Sequence, residues 1–154
     1  MFSQILIIPV GYVRSSRTKP EDDGWDAISA KIELDPGQFG PDALLGLADF
    51  SHVEVLFHFH AAKAAPESGA RIPRGNPEWP RVGIFAQRAK DRPNHIGATL
   101  CRVLSVHGTT LEVSGLDAID GTPVLDIKPV MKDFLPRGEV QEPAWAKELM
   151  RHYW

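Results

Sequence analysis

Between Ser51 and His60 the chain reads SHVEVLFHFH, and it alternates residue by residue. Val53, Val55, Phe57 and Phe59 fall on one face; His52, Glu54, His58 and His60 fall on the other. A period of two belongs to a β-strand with one face in a core. The same short apolar runs recur, cut by Gly and Pro: Ile5 to Arg14, Ala27 to Leu34, VGIFA, GATLCRVLSV, TLEVSGLDAI and PVLDIKP. VHGTT reads as a hairpin turn between two of them. GPDALLGL offers Pro41 and Asp42 in a first turn and Gly46 as a stop, which predicts one or two turns of helix. Good helical character is confined to EPAWAKELMRHYW, with Pro143 in its first turn and Trp145 and Leu149 four apart. Many closely spaced strands predict a mainly β fold: an antiparallel β-barrel with short peripheral helices and a C-terminal helix.

The 154 residues suit one domain with a real core. A net charge of −3 argues against a protein that coats nucleic acid, although a local basic patch is compatible with it. The single Cys101 forms no internal disulfide and reads as a buried, inert thiol. The N-terminal MFSQILIIPVGYVR lacks a basic leader and is broken by Pro9, so it reads as a first strand. No apolar stretch approaches the roughly 20 residues of a membrane helix. The expected location is cytoplasmic, without a membrane partner.

Three features carry chemistry. The first is the histidine face. His58, His60 and Glu54, with His95 from elsewhere, could hold a metal, as in a cupin-like enzyme; the same histidines could equally line a pocket for an organic ligand. The second is GIFAQRAKDRPNHIG, a strand and then a turn rich in fork-shaped donors. Arg88 and Arg92 can each grip a carboxylate through two hydrogen bonds, unless they are spent on Asp91 and Asp120. The third is GLDAIDGTPVLDIKP, where Asp120 and Gly121 form a turn whose carboxylate could bind ribose hydroxyls. Between the first two lies a long, proline-rich loop from Ala61 to Pro80. Arg71, Arg74, Arg81 and Lys90 stand in it or just beyond it and could face an RNA backbone or another anion.

Taken together, GLADFSHVEVLFHFH, VGIFAQRAKDRPNHIGATL and LDAIDGTPVLDIKP resemble the signature segments of the TrmO-like (TsaA-like, YaeB) family, over about Pro9 to Pro129. The resemblance implies a homodimeric, β-barrel, S-adenosyl-L-methionine-dependent methyltransferase acting on N6 of threonylcarbamoyladenosine at tRNA position 37. It implies a single domain over residues 1–154, without the extra C-terminal domain of longer bacterial members. Its cofactor pocket corresponds to His60, Arg88, Arg92, Asn94, Ile96, Gly97, Asp120, Gly121, Thr122 and Pro123, with no metal. The catalytic base stays open among His58, His60 and Asp120. Members of this family carry a Pro-Arg-Gln segment after the first strand. Here the chain reads TKPEDDGWD, so Glu21, Asp22, Asp23 or Trp25 is expected to replace those contacts. A module that binds the cofactor without catalysis is a further reading.

Overall fold

The computed structural model describes residues 3–154. Six strands close into an antiparallel barrel in the order β1-β2-β7-β6-β3-β8. They are β1 (Gly11–Ser15), β2 (Ser29–Leu34), β3 (His52–His58), β6 (Ile96–His107), β7 (Thr110–Ser114) and β8 (Pro123–Pro129). A separate two-stranded ribbon joins β4 (Ala70–Arg71) and β5 (Val82–Gly83). Closure removes the unpaired edges that an open sheet of short strands would expose.

The period of two does the sorting. Along β2, Ala30, Ile32 and Leu34 point inward, and along β3, Val53, Val55 and Phe57 do. They meet Val13, Cys101, Leu111, Val113, Leu116 and Val124 in one core. Each Val, Leu, Ile or Phe among them contributes about 1.5–3 kcal/mol by leaving water. His107 and Thr110 are joined through Gly108, whose φ of 58° supplies the left-handed first position that a primed two-residue turn requires.

Four segments differ from the sequence expectation. Ile5 to Ile8 pair with no strand among the described residues and are half to nearly nine-tenths exposed, because β1 begins only at Gly11; Met1 and Phe2 lie outside the described residues. VGIFA is extended only at Val82–Gly83 and then turns through a 3-10 helix at Ile84–Ala86. GPDALLGL forms consecutive turns, followed by a 3-10 helix at Leu47–Asp49. TLEVSGLDAI leaves the sheet at Ser114, where Gly115 takes a φ of 74°. The C-terminal helix α1 covers Ala144–Leu149 and continues as a 3-10 turn through His152.

This C-terminal segment is stitched to the barrel. Gly24 and Trp25 donate their N–H groups to the carbonyls of His152 and Tyr153, at 3.0 and 2.9 Å. The Tyr153 hydroxyl donates to one oxygen of Asp117, and the Thr99 hydroxyl donates to the other. Burial and the facing carboxylate push the Tyr153 phenol well above its ordinary range. Removing the hydroxyl leaves a carboxylate short of a donor, and hydrogen bonds to charged groups are worth about 1.5–3 kcal/mol. Tyr153→Phe is therefore expected to lower the unfolding free energy by about that amount, read by urea denaturation.

Cys101 is buried in the core, as its sequence context implied. Burial first, and the nearby Asp117 carboxylate second, push its thiol up to about 12. Only the thiolate attacks disulfides, so a thiol-exchange reagent at about pH 8 should label Cys101 after denaturation and not before.

Candidate functional site

Strand direction gathers the three motifs at one rim of the barrel. β3 lies between β6 and β8, antiparallel to both, so its end meets their beginnings: Phe57 pairs with Gly97 on one side and Val124 on the other. The contacts continue past the strands. Phe59 donates its N–H to the His95 carbonyl at 2.8 Å. A Cβ placed on Gly121 would lie 3.9 Å from His60 Nε2. β1 arrives at the same rim, because Val13 exchanges backbone hydrogen bonds with Gly121 and Thr122. Residues far apart in sequence thus share one end of the barrel: Ser15 to Arg17, His58 to His60, Arg92 to Gly97 and Asp120 to Pro123.

The charges there are unequally committed. Neither Arg88 nor Arg92 pairs with a carboxylate among the described residues. Arg88 donates to the Ala98 carbonyl, next to Gly97, and Arg92 donates to the Gln87 carbonyl at 2.7 Å. The alternative, in which Asp91 and Asp120 neutralise these arginines, does not hold. Asp91 faces Arg71 at 3.4 Å, and Asp120 accepts the Ser15 N–H at 3.0 Å through Oδ1. The Asp120 N–H in turn reaches the Arg17 carbonyl at 2.8 Å. Asp120 is thus fixed through one oxygen, leaving Oδ2 without a hydrogen bond among the described residues. Beside it, Ser16, Arg17, Thr18, Lys19, Glu21 and Ile28 line an open cleft of about 290 Å³.

Asn94 and His95 both take left-handed backbone, with φ of 63° and 50°. Such angles cost little for Asn and more for His, and they recur where a turn must present its groups. The buried Nε2 of His95 has no hydrogen-bond partner among the described residues.

Histidine spacing alone would let His58 and His60 share an ion, but β3 ends at His58 and the chain turns, so the alternation stops. Among the described residues no three His, Cys, Asp or Glu side chains gather as a ligand set. Glu54 instead stands opposite Lys128 on the outer face of the sheet. His58 packs edge-on against His95 with centroids 5.9 Å apart. Desolvation, then the charges of His95 and His60, lower the His58 pKa below the usual 6.5. The unfolded chain therefore takes up this proton at higher pH than the folded one, and stability falls as pH drops through 6.5. A His58 NMR titration with its midpoint below that of a model peptide is the expected result.

Other predicted residues have internal duties. Gly97 leaves room for aromatic rings: a Cβ there would come within 2.5 Å of the Phe57 ring and 2.9 Å of Phe59. Its missing side chain serves packing, whereas its backbone lies on the rim. Thr122 is buried and accepts the Val13 N–H through its carbonyl, so it offers little side chain to a ligand. Pro123 pairs with Tyr12 in the ladder, and Ile96 is partly exposed at the start of β6.

Four cations were expected to face RNA. Arg71 is engaged by Asp91, and Arg74 contacts Asp23 at 3.0 Å; Arg81 and Lys90 are exposed and unpaired among the described residues. TKPEDDGWD folds around Arg17. The guanidinium sits 4.2 Å from the centroid of buried Trp25 and donates to the carbonyls of Asp23 and Gly24. Asp23 and Trp25 are thus occupied internally, while Glu21 lines the cleft. Sequence reasoning missed Ser15, Arg17 and Tyr153: the partners of Ser15 and Tyr153 lie far along the chain, and those of Arg17 lie within a loop that carries no motif.

The profile described as "tRNA-methyltransferase O N-terminal domain" matches residues 12–134. The human protein named "tRNA (adenine(37)-N6)-methyltransferase" is 41% identical over 147 residues, covering 90% of this chain and 33% of that protein. A Methanothermobacter thermautotrophicus protein, named "Probable S-adenosyl-L-methionine-binding protein", is 39% identical over 135 residues, covering 84% of this chain and 93% of its own length. A crystal structure of TrmO from Pseudomonas aeruginosa superposes with a TM-score of 0.76 at 32% identity, covering 94% of this chain and 63% of that one. The chain spans about a third of the mammalian relatives it matches.

Proposed function

Because this chain belongs to the tRNA-methyltransferase O N-terminal domain family, we propose that it transfers a methyl group from S-adenosylmethionine to N6 of the adenine at tRNA position 37, in its threonylcarbamoyl form or a related acceptor. The observation that carries the reading is that Arg88 and Arg92 have no carboxylate partner among the described residues, in a turn that reaches the same barrel rim as Asp120 and His60.

The donor set suits this cofactor. Arg88 and Arg92 can bind the amino-acid carboxylate through planar forks, and the free oxygen of Asp120 can accept hydrogen bonds from ribose hydroxyls. When bound, S-adenosylmethionine supplies an electrophilic methyl on a sulfonium. The chain's own task is then alignment, which alone can account for much of a displacement rate. His58 is held toward its neutral form and so retains a lone pair for the acceptor's proton; His60, exposed next to Gly121, is the alternative base. The same family reading includes a homodimer, with the cofactor near the subunit interface. A cytoplasmic location follows from the same reading, and no helix among the described residues is long and apolar enough to cross a membrane.

The test incubates the protein with methyl-labelled S-adenosylmethionine and tRNA from cells lacking this methylation, followed by nucleoside mass spectrometry. Label on an N6-methylated adenine nucleoside is expected. Cofactor binding with no transfer to any tRNA would favour the non-catalytic module.

A further inference from the structure

Phe85 is 78% exposed, yet it sits on a firmly held turn. Its neighbours Ile84 and Gln87 are buried. The Ile84 N–H donates to the Gly69 carbonyl at 2.8 Å, and the Gln87 N–H closes the turn onto Ile84 at 3.2 Å. The Gln87 side-chain amide donates to the carbonyls of Arg71 and Val82, at 3.1 and 2.9 Å. The β4–β5 ribbon anchors the base of the turn through Arg71 and Val82. The fold thus fixes the backbone and presents a phenyl ring to solvent, where it contributes nothing to the core.

The surroundings of that ring are cationic. From Arg81 to Lys90 the chain carries three cations and no carboxylate. Arg81 and Lys90 are exposed and unpaired among the described residues, in contrast to Arg71 and Arg74, which acids engage. They stand four and five residues from Phe85, so at most about 14 and 18 Å of extended chain separates each from it. Aromatic faces flanked by positive charge are how proteins hold unpaired bases: the ring stacks on a base and the cations meet the adjoining phosphates. A rigid turn adds to this, because little conformational freedom is lost on binding.

We propose that Phe85 is a base-stacking platform for a single-stranded segment of RNA, with Arg81 and Lys90 on the flanking phosphates. This rests on the reading of the substrate as tRNA and adds to it a stacking residue and a footprint displaced from Arg71 and Arg74 toward Arg81 and Lys90.

The experiment measures binding of a fluorescently labelled anticodon stem-loop RNA to the full chain by anisotropy over a range of salt concentrations. Alongside it, S-adenosylmethionine affinity is measured by calorimetry and mass by analytical ultracentrifugation. Phe85→Ala should weaken RNA binding on the order of tenfold, Phe85→Tyr should restore it, and neither should change the salt slope. Arg81→Ala and Lys90→Ala should each reduce the slope by about 0.7, the value for one single-strand phosphate contact. RNA binding by Phe85→Ala equal to that of the parent would overturn the proposal. So would a loss of cofactor affinity in that variant, which would assign the ring to the cofactor's adenine, or a change in mass, which would assign it to a second copy. If the parent protein binds S-adenosylmethionine but not the stem-loop, the tRNA reading itself fails, and the stacking proposal falls with it.

Discussion

Arg88→Ala is expected to weaken S-adenosylmethionine binding by about tenfold to a hundredfold while leaving the thermal midpoint near that of the parent. The reason is the asymmetry of charge at the rim. Arg88 is exposed and donates to a single backbone carbonyl, that of Ala98, so the fold loses little with it. No acid neutralises it among the described residues, so its fork is available to a carboxylate. Hydrogen bonds to charged groups are worth about 1.5–3 kcal/mol, which gives the stated range. Arg88→Lys should recover only part of the loss, because an ammonium keeps the charge but not the two parallel bonds. Arg92 is less suitable as a probe. Its bond to Gln87 holds the turn itself, and its removal would mix binding with folding. Calorimetric titration of both Arg88 variants, with scanning calorimetry as the control, checks the expectation.

Gly97→Ala should lower stability by about 1–3 kcal/mol, the ordinary cost of overpacking a full core. For a chain of this size that shifts the midpoint by roughly 2–12 °C. The added methyl would meet the Phe57 ring at 2.5 Å, and Phe57, 1% exposed, has no free space to swing into. Phe59, packed edge-on against Phe57 at 5.1 Å, closes the other side. Shrinking the ring should therefore help: Gly97→Ala with Phe57→Leu should be more stable than the sum of the two single losses, a coupling that a double-mutant cycle reads directly. If Gly97 existed mainly to let the cofactor approach, Gly97→Ala would cost affinity and leave the midpoint in place.

The barrel was legible because its strands alternate. A period of two survives any arrangement of neighbours, and Val53, Val55 and Phe57 could be assigned to the core before their partners were known. Ile5 to Ile8 show where that reasoning stops. An apolar run implies burial only if something covers it, and Pro9 separates this run from the strand that begins at Gly11. At the site, Arg88 and Asp120 stood out as chemically capable groups within recognisable turns. Spacing could not say which of them would be spent internally. Asp91 faces Arg71 and Asp120 caps the end of β1, and both pairings are set by tertiary contacts. Among the described residues the histidine face does not gather as a ligand set, for a local reason: alternation ends with β3 at His58, two residues before His60. Tyr153 and Asp117 lie 36 residues apart, on segments that meet only when the chain end folds back, and no motif marks the pairing.

Co-crystallisation with S-adenosylhomocysteine would locate the cofactor. The ligand is expected at the β3–β6–β8 rim, with its carboxylate on Arg88 or Arg92 and its ribose beside Asp120. Ligand bound instead in the apolar groove of about 400 Å³ at the other end, between Val10, Phe39, Leu44 and Ile127, or no binding at any concentration that saturates a relative, would contradict it.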